Sequence, residues 1–562
     1  MGLFLLDYGA GNVQSLANSL TTLGHEFTWI SDAADFAKAT TLIFPGVGAF
    51  ETAIQHLRSR GLLEPLREYI RSGRPYFGIC IGMQVLFLSS TESPTPGLGI
   101  VPCPIEQFDS TDKSVPHIGW NSAELLDPTK HADEPVESSY YYFVHSYCAK
   151  YNPEKYPDAT EWIHSTTQYG QELFVSSVRK GNVFATQFHP EKSGAAGLAL
   201  LDAWLRKPGL DTESDLQPHP LVQPKLKPKH RLTKRIVACM DVRANDEGDL
   251  VVTKGDQYDV REKPEPTSTD IAIQTAGAVR NLGKPVALAA RYYALGADEL
   301  CLLNITSFRH SPLRDQPMLA VVRAAAACVF VPLTIGGGIK DTVDPDGTNR
   351  SALEVAGAYF RAGADKVSIG SEAVYAVERL RASGKCDRTS AIETIAHAYG
   401  RQAVVVSVDP RRVYVDPKTY DGPYKDELVH GLLDGSEKER GKAWWYQCTV
   451  SGGREARPLS VVELVQGVEA LGAGEILLNS IDRDGTGLGF DLALVNLVKK
   501  SVHIPVVASS GAGKAEHFVE VFQETDVEAA LAAGIFHREE VQIAEVKDAL
   551  ETAGINVRIE KP

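Results

Sequence analysis

The second half of the chain repeats itself, and this repeat constrains the fold more than any other feature of the sequence. The segment ACMDVR matches VSVDPR, LLNITS matches LLNSID, and TIGGGI matches ASSGAG. From Arg235 onward, eight short apolar runs alternate with alanine- and leucine-rich helical patterns, and the runs begin near RIVACMDV, ELCLLNI, PLTIGGGI, KVSIGS, AVVVSVD, EILLNSI, PVVASSG and AALAAGIF. Eight strand and helix units in about 330 residues predict a (β/α)8 barrel, or TIM barrel, with some long loops.

A separate domain is expected before the barrel. The chain has 562 residues, and a single hydrophobic core stops growing at about 250–300 residues. Residues 206–231 are dense in proline and polar residues and lack a hydrophobic period, which is typical of a linker. We therefore expect an α/β domain over residues 1–205, a linker over 206–231 and the barrel over 232–562, since the first part also alternates β-branched runs with helical patterns.

Composition excludes several classes of function. The formal net charge is −15, from 57 basic and 72 acidic side chains, so neither nucleic acid nor an anionic membrane surface is an expected partner. No apolar run reaches the roughly 18 residues of a membrane-spanning helix, and the amino-terminal MGLFLLDYGAGN has no signal or transit-peptide pattern. The eight cysteines include no CxxC pair, which argues against a disulfide framework or a zinc site. We expect a cytoplasmic rather than a plastid protein, without metal or cofactor.

The run FGICIGMQ places Cys80 between two glycines, after an apolar run and before a helical pattern. This is the cysteine counterpart of the G-x-S-x-G turn that exposes a nucleophile between a strand and a helix. The positive end of a helix dipole favours the thiolate, which is the attacking form. For Cys80 taken alone, a buried structural cysteine is the other interpretation.

Two more stretches have the residue types that a cysteine nucleophile needs. In ATQFHPEKS, His189 and Glu191 follow an apolar strand and are two residues apart, so both side chains leave the same face, as a base and its orienting carboxylate must. In IFPGVGAF, the turn at Gly46, Val47 and Gly48 offers backbone N–H groups to a developing oxyanion. Singly, the histidine is also explained as structural and the turn as ordinary.

The twofold repeat places Asp241 and Asp409 at equivalent strand ends, on opposite sides of one barrel mouth. Two carboxylates facing each other across a pocket suit general acid and base chemistry, although a single aspartate after a strand is often a turn or cap residue. The glycine-rich loops at 336–338 and 509–513 offer backbone N–H groups to phosphate, and two related loops indicate two phosphates on one ligand.

Taken together, these motifs resemble a known family. The order of oxyanion loop, cysteine turn and His-x-Glu resembles the class I glutamine amidotransferases, which have a flavodoxin-like α/β fold. Within that class, DYGAGNVQSL, PHIGWN and YYFVHSY resemble the glutaminase subunit of imidazole glycerol phosphate synthases. The barrel, with NSIDRDGTGLGFD and GAGKAEHF, resembles the cyclase subunit of the same family. The whole chain thus resembles the fused, bifunctional form found in fungi and plants.

This resemblance implies a glutaminase coupled to a cyclase. Cys80 would form a glutamyl thioester, His189 would transfer the proton, Glu191 would orient the imidazole and Gln84 would contact glutamine. The ammonia released would cross the barrel to the ribulosyl form of phosphoribosyl formimino aminoimidazole carboxamide ribonucleotide (PRFAR). Its products would be imidazole glycerol phosphate and aminoimidazole carboxamide ribonucleotide. Glutamine and PRFAR are then the small-molecule partners, and fusion removes the need for a separate glutaminase subunit.

The resemblance also assigns residues in the barrel. Asp241 and Asp409 would be the cyclase acid and base. A ring of alternating charge at four strand starts would gate the ammonia entrance, formed by Arg235, Glu299, Lys366 and Glu475; wet, charged strand ends are the other interpretation. The expected substrate- and phosphate-binding residues are Lys254, Gly337, Gly338, Gly370, Asn479, Asp484, Ser510, Gly511 and Gly534. On sequence alone, a solvated lysine is the favoured interpretation of Lys254, and Asp484 is equally explained as a turn residue.

Some features depart from this pattern or favour rivals. Segments 244–268 and 411–457 are longer and more polar than in compact bacterial cyclases, and the sequence leaves open whether they are lids or surface insertions. Ser510 stands where many relatives have glycine. An aldose–ketose isomerase barrel uses similar carboxylates and phosphate loops, but it needs no ammonia. A scaffold protein that binds the ribonucleotide without turnover is disfavoured by the complete set of Cys80, His189 and Glu191.

Overall fold

The computed structural model describes most of the chain, namely residues 2–9, 11–46, 48–126, 140–208, 224, 226–228, 231–244, 250–253, 272–275, 278–281, 283–305, 313, 317–431 and 439–559. Its architecture is an α/β domain joined to a (β/α)8 barrel, which confirms the predicted fold class. Within the described residues, no helix combines the length and the apolar character needed to cross a membrane.

An eight-stranded sheet forms the centre of the first domain. The first five strands in space are parallel and the other three are antiparallel. The central strands are buried along their whole length, as expected where helices cover both faces. In spatial order the strands are Thr28–Ile30, Leu3–Leu6, Thr41–Phe44, Tyr76–Ile79, Val183–Thr186, Glu172–Lys180, Ile163–Tyr169 and Glu124–Leu125.

Short helices and small strand pairs surround this sheet. The α-helices are Gln14–Thr22, Asp35–Lys38, Phe50–Ser59, Leu63–Arg71, Ile81–Gln84 and Gly194–Arg206, and the 3₁₀ helices are Pro157–Trp162 and Pro190–Lys192. Short strands pair as Ser89–Ser90 with Ser93–Pro96, and as Glu106–Gln107 with Tyr147–Cys148. His117–Ser122 and Tyr140–His145 form an antiparallel pair that we call the interface ribbon.

Eight parallel strands form the barrel, and the eighth strand closes it by pairing with the first. All eight correspond to apolar runs identified in the sequence. In chain order they are Arg235–Ala244, Glu299–Asn304, Leu333–Gly336, Lys366–Ile369, Val404–Val408, Glu475–Leu478, Val506–Ala508 and Ala529–Ala532, and we refer to them as the first to eighth barrel strands.

Ten α-helices surround the barrel strands in the described residues. Ser351, Ser390 and Ser460 each begin a helix with a capping box, in which the serine hydroxyl and a glutamate three residues later satisfy backbone N–H groups. The helices are Gly283–Ala294, Pro317–Ala326, Ala352–Ala362, Ser371–Ser383, Ala391–Tyr399, Val461–Leu471, Leu492–Lys499, Ala515–Glu524, Gly534–His537 and Ile543–Thr552.

Side chains of the barrel strands alternate between two cores. Residues such as Ile236 and Ala238 pack in the large core with the helices. Their neighbours pack in a separate apolar cluster inside the barrel, formed by Val237, Cys239, Cys301, Val405, Leu477, Val507, Ala529 and Leu531. This alternation follows from the pleat of a strand, and it gives the barrel an apolar interior.

The longer of the two polar segments contains a sheet. Four antiparallel strands make it up, Pro410–Val415, Val429–His430, Ala443–Val450 and Glu455–Ser460. The other segment, 244–268, lies mostly outside the described residues, but Leu250–Thr253 pairs with the carboxyl half of the first barrel strand. Further strand pairs are Thr342–Val343 with Asn349–Arg350 and Ala272–Thr275 with Ala278–Asn281.

The first domain docks on the amino ends of the barrel strands. Trp120 Nε1 donates to the carbonyl oxygen of Asp298 at 3.0 Å, just before the second barrel strand. Asp365, just before the fourth strand, accepts from Asn12 Nδ2 at 2.8 Å and pairs with Lys192 Nζ at 2.8 Å. The candidate acid and base of the barrel lie toward the opposite, carboxyl ends of the strands, so the two candidate sites are on opposite sides of the barrel interior.

Candidate active sites

Cys80 lies in a tight turn between the strand Tyr76–Ile79 and the helix Ile81–Gln84. Its backbone has φ 50° and ψ −100°, a region that costs a non-glycine residue strain and is typical of strand-to-helix nucleophile turns. The backbone N–H donates to the carbonyl oxygen of Thr186 at 2.7 Å, which ties the turn to the next strand. The cysteine is 6% exposed.

Close backbone contacts explain two of the glycines in this region. A Cβ at Gly82 would clash with the carbonyl oxygen of Phe44, and a Cβ at Gly46 would clash with the side chain of Ile81. Gly46 is therefore packed directly against the start of the helix that follows Cys80. Gly46 and Gly48 are placed there, whereas Val47 lies outside the described residues.

His189 and Glu191 form a buried pair beside Cys80. His189 Nδ1 lies 2.8 Å from Glu191 Oε1, and the residues are 2% and 3% exposed. Burial alone lowers the pKa of His189, but the Glu191 carboxylate and the Cys80 sulfur outweigh burial and hold the pKa well above its usual value. His189 Nε2 meets no partner with full hydrogen-bond geometry within the described part of the chain. That atom is therefore available for proton transfer.

Asp409 directly follows the fifth barrel strand and is half-buried. Its Oδ1 accepts from Asn479 Nδ2 at 2.6 Å. Burial raises the pKa of Asp409, the Asn479 hydrogen bond partly opposes this effect, and the charge of Asp484 adds to it. A carboxyl group with a raised pKa is suited to donate or accept a proton near neutral pH.

Asp241 is the twofold counterpart of Asp409. Val237 pairs with Glu299 between the first and second barrel strands, and Val405 pairs with Glu475 in the same way between the fifth and sixth. Each aspartate follows its valine by four residues, so Asp241 and Asp409 lie at equivalent heights in the barrel. The sequence placed Asp241 at the end of its strand. In the structure the strand continues to Ala244, because Leu250–Thr253 pairs with this part and prolongs it.

The candidate phosphate loops lie at the carboxyl ends of barrel strands. Gly337 and Gly338 have φ of 89° and 80° after the third strand, and Ser510 and Gly511 have φ of 72° and 96° after the seventh. A Cβ at Gly511 would clash with the carbonyl oxygen of Gly489, so this loop packs tightly against the loop after the sixth strand.

Three of the remaining predicted binding residues, Gly370, Gly534 and Asp484, lie in the described part of the chain. Gly370 precedes the helix Ser371–Ser383 and Gly534 begins the helix Gly534–His537. Asp484 lies in the loop after the sixth strand, where its N–H donates to the carbonyl oxygen of Ser480 at 2.9 Å. Lys254 lies outside the described residues.

The four predicted gate residues begin four barrel strands and form a closed ring of ion pairs. Arg235 contacts Glu299 at 2.5 Å and also Glu475, while Lys366 Nζ lies 2.7 Å from Glu299 and 2.5 Å from Glu475. All four are at most 3% exposed. Thr334 Oγ1 donates to Glu299 Oε1 at 2.6 Å and completes its hydrogen bonds.

Charge complementarity favours the ionised forms of Glu299 and Arg235 although both residues are buried. Burial raises the pKa of Glu299, but Lys366 and Arg235 outweigh burial and lower it. Burial likewise lowers the pKa of Arg235, and Glu475 and Glu299 outweigh burial and raise it. Such a network is stable only while every member is present, because removal of one member leaves an uncompensated buried charge.

Comparisons with known proteins agree with the two domains. A family model described as Glutamine amidotransferase class-I matches residues 4–206, and one described as Histidine biosynthesis protein matches residues 235–542. The chain is 52% identical over 568 residues to the imidazole glycerol phosphate synthase hisHF of Emericella nidulans, with 99% of each chain covered. The protein of the same name from Schizosaccharomyces pombe is 52% identical over 563 residues, again with 99% of each chain covered.

The chain belongs to the imidazole glycerol phosphate synthase family. It is an enzyme of histidine biosynthesis with a glutamine amidotransferase domain and a cyclase domain in one chain, so it needs no separate glutaminase subunit. A relative from Arabidopsis thaliana, 51% identical over 99% of this chain and 89% of its own, is named chloroplastic. The cytoplasmic location expected for the present chain stays a prediction.

Sequence reasoning missed Gln187, which contacts the candidate nucleophile. Gln187 Nε2 donates to Cys80 Sγ at 3.5 Å, and Gln187 Oε1 accepts from Gln84 Nε2 at 3.0 Å. Gln187 precedes His189 by two residues, but the strand ends at Thr186 and Glu191 lies in the 3₁₀ helix Pro190–Lys192. The strand alternation expected for His189 and Glu191 is therefore wrong, and the helical turn brings the two side chains together instead. Gln84, which the resemblance assigned to glutamine binding, is thus linked to the cysteine through Gln187.

Sequence reasoning also missed Arg412, which joins the four-stranded sheet to the loop after the sixth barrel strand. Its guanidinium lies 2.8 Å from Asp491 Oδ2 and 4.5 Å from the Trp444 ring centre, and it also pairs with Glu439. Its backbone N–H donates to Asp482 Oδ2 at 2.8 Å. Segment 411–457 therefore supports the loop that carries Asp484, and no sequence pattern indicates this long-range contact.

Proposed function

We propose that this enzyme hydrolyses glutamine at Cys80 and passes the ammonia through the barrel to PRFAR. The observation that carries the proposal is the position of the Cys80, His189 and Glu191 cluster. This cluster belongs to a domain docked on the amino ends of the barrel strands, whereas Asp409 lies at their carboxyl ends. Two sites in series, on opposite sides of one barrel, suit a reaction that transfers a small neutral molecule between them.

In the first site, the Cys80 sulfur attacks the side-chain amide carbon of glutamine. The C–N bond breaks, His189 gives the proton to the departing nitrogen, and ammonia leaves behind a glutamyl thioester. Water then hydrolyses the thioester to glutamate, with His189 as the base. Glu191 orients the imidazole through Nδ1, and the turn at Gly46, Val47 and Gly48 supplies N–H groups to the oxyanion.

Ammonia then enters the barrel through the ring of Arg235, Glu299, Lys366 and Glu475. Two observations support this route. The ring lies at the strand starts beneath the docked domain, and the Tyr142 hydroxyl of the interface ribbon is close enough for the charges of Glu299 and Arg235 to affect its pKa. Beyond the ring, the interior is lined by the apolar cluster described above, which favours neutral ammonia over ammonium.

In the second site, Asp241 and Asp409 act as the acid and base of the cyclase. Ammonia adds to PRFAR, the imidazole ring closes and the chain is cleaved to imidazole glycerol phosphate and aminoimidazole carboxamide ribonucleotide. Asn479 orients Asp409, and the raised pKa of Asp409 suits proton transfer. The two glycine-containing loops after the third and seventh strands receive the two phosphates. Gly370, Asp484, Gly534 and Lys254 contribute to binding of the substrate.

The test is imidazole glycerol phosphate formation by Cys80→Ala, with PRFAR and either glutamine or an ammonium salt at alkaline pH. We expect glutamine-dependent formation to fall at least about a thousandfold, and ammonium-dependent formation to stay near the wild-type rate. Cys103→Ala is the matched control, because Cys103 is a buried cysteine of the same domain outside the site. A folded Cys80→Ala protein that loses both reactions, or keeps both, would contradict two sites in series.

A further inference from the structure

A continuous hydrogen-bond chain runs from the interface ribbon to the candidate nucleophile. On the ribbon, Asn121 Nδ2 lies 3.3 Å from His117 Nε2, and His117 Nδ1 lies 3.3 Å from His145 Nε2. His145 Nδ1 then lies 2.8 Å from the carbonyl oxygen of Tyr147. Neither histidine takes part in the reaction proposed above.

The direction of each bond in this chain is determined. The Tyr147 carbonyl only accepts, so His145 carries its hydrogen on Nδ1. Burial lowers the pKa of His145 to about 3, the bond to Tyr147 opposes this effect, and the charge of His189 adds to it, so His145 is neutral and its Nε2 accepts. His117 must therefore donate from Nδ1, and its Nε2 accepts from the Asn121 amide. One tautomer of each histidine fits.

The carbonyl oxygen of Tyr147 connects the two histidines to Gln84, the candidate residue for glutamine binding. The Tyr147 oxygen also accepts from Gln84 Nε2 at 3.0 Å. The other hydrogen of this amide goes to Gln187 Oε1, and Gln187 donates to Cys80 Sγ. Both Gln84 hydrogens are thus taken by the protein, so any contact of Gln84 with a bound glutamine has to come from Oε1, which accepts from an N–H group of the ligand.

The surroundings leave no easy substitute for these bonds. His117 stacks on Tyr169 with ring centres 4.2 Å apart and on Phe143 at 5.0 Å, and Phe108 and Phe174 pack at the ring edges. Asn121, His117 and His145 are at most 2% exposed. Loss of one donor in this apolar enclosure leaves its acceptor with one hydrogen bond fewer, because water does not replace the donor at low cost.

The ribbon that carries this chain is held by the barrel. His117 and His145 are directly opposite each other in the ribbon register. Trp120 and Tyr142 of the same ribbon pack in the barrel core, and the guanidinium of Arg558 lies 4.0 Å from the centre of the Trp120 ring. The position of the histidines therefore depends on how the barrel seats the ribbon.

We propose that His145, backed by His117 and Asn121, is a positioning residue that holds the Tyr147 carbonyl and thereby aims Gln84 Oε1 at an N–H group of bound glutamine. This inference rests on the proposed function of the Cys80 site and extends it to residues that do not touch the substrate. It also gives a role to two histidines that are buried side by side and linked to Cys80 through a chain of hydrogen bonds.

Two amide variants of similar polarity test this role. In His145→Asn the amide occupies the position of Nδ1 and still donates to Tyr147, whereas in His145→Gln the amide extends to the position of Nε2 and that donor is lost. With saturating PRFAR, we expect His145→Gln to raise the KM for glutamine about tenfold with kcat within about twofold, since one buried hydrogen bond is lost. His145→Asn should keep KM within about threefold of wild type.

Equal KM values for the two variants would overturn the proposal, whether both are normal or both are impaired. Ammonium-dependent product formation, measured in parallel, should match wild type in both variants and shows that the rest of the enzyme is intact. Failure of the proposed function itself gives a different result, in which Cys80→Ala retains glutamine-dependent activity. A change confined to kcat in His145→Gln would also contradict a positioning role through Gln84.

Discussion

The two candidate sites favour opposite charge states, because the charged form is favoured for His189 in the first and the neutral form for Asp409 in the second. In the first domain, Glu191 and Cys80 outweigh burial and hold the pKa of His189 well above its usual value, which favours its charged form. At the barrel mouth, burial favours the neutral form of Asp409. The difference follows from the proposed chemistry: His189 must hold the proton that it gives to the departing nitrogen, whereas a carboxyl group that acts as acid or base needs a pKa raised toward neutral pH.

The ring of ion pairs lies between these sites and shares features of both. It is as buried as the His189 and Glu191 pair, yet it belongs to the barrel. Its four charges balance each other, so the ring is neutral overall and places no net charge at the entrance to the apolar interior. A neutral molecule such as ammonia then meets little electrostatic barrier, while an ammonium ion meets a costly desolvation.

The largest expected effect is that of Asp409→Asn, which should abolish cyclisation without affecting glutamine hydrolysis. Asp409→Asn removes the proton donor and acceptor but keeps the size of the side chain and the contact with Asn479. We expect product formation to fall about 10²- to 10⁴-fold with either glutamine or ammonium, while glutamine hydrolysis without PRFAR stays near its basal rate. This is the reverse of the pattern expected for Cys80→Ala.

Asp387→Asn is the control for this experiment, because Asp387 is an exposed aspartate outside the candidate sites whose carboxylate caps the turn at Thr389. It should leave both activities unchanged. If Asp409→Asn cyclised PRFAR at the wild-type rate with ammonium, the comparison between a nucleophile site and an acid–base site would fail.

A smaller effect is expected at the ring. Lys366→Ala leaves Glu299 and Glu475 with one cation, Arg235, and opens the entrance. We expect about 3 kcal/mol of lost stability and several molecules of glutamate formed for each molecule of imidazole glycerol phosphate. Thermal unfolding and a product ratio measured in one assay check both parts.

Lys547→Ala is the control that distinguishes a loss of stability from a loss of coupling between glutamine hydrolysis and cyclisation. Lys547 is a buried lysine of the barrel that pairs with Asp298 at 2.7 Å, outside the ring. Its removal should destabilise the protein to a similar extent but keep one glutamate per product. A Lys366→Ala enzyme that couples as tightly as wild type would show that the ring is structural and that it does not gate ammonia.

The sequence predicted elements better than it predicted contacts. The eight barrel strands could be identified because each is a short apolar run separated from the next by a helical pattern, and Cys80 stands out because two glycines flank it. The contacts of Arg412 with Asp491 and of His145 with His117 join residues far apart in the chain. No local pattern encodes which polar side chains of distant elements meet, so these contacts are seen only in the folded structure.

Some predictions stay untested. The boundaries at 205 and 231 fall beside a stretch that lies largely outside the described residues. The roles of the site residues rest on geometry and on family membership, and Val47 and Lys254 were not placed. Segment 411–457 was left open between a lid and a surface insertion, and the structure favours a support for the loop after the sixth strand, because Arg412 is buried in that contact.

The smallest expected effect concerns stability and refines the contrast in charge. The folded pKa of Asp409 is raised above its unfolded value of about 3.9. The stability gained by holding this proton is fully present below about pH 4 and is lost as pH rises through the folded pKa.

The side chain of the Asp409→Asn variant carries no charge at any pH. Its Tm should therefore equal that of wild type near pH 4 and exceed it by about 1–2 °C near pH 7. A variant that is less stable than wild type at pH 7 would mean that Asn479 favours the ionised carboxylate more than burial opposes it, and the contrast with the His189 site would disappear.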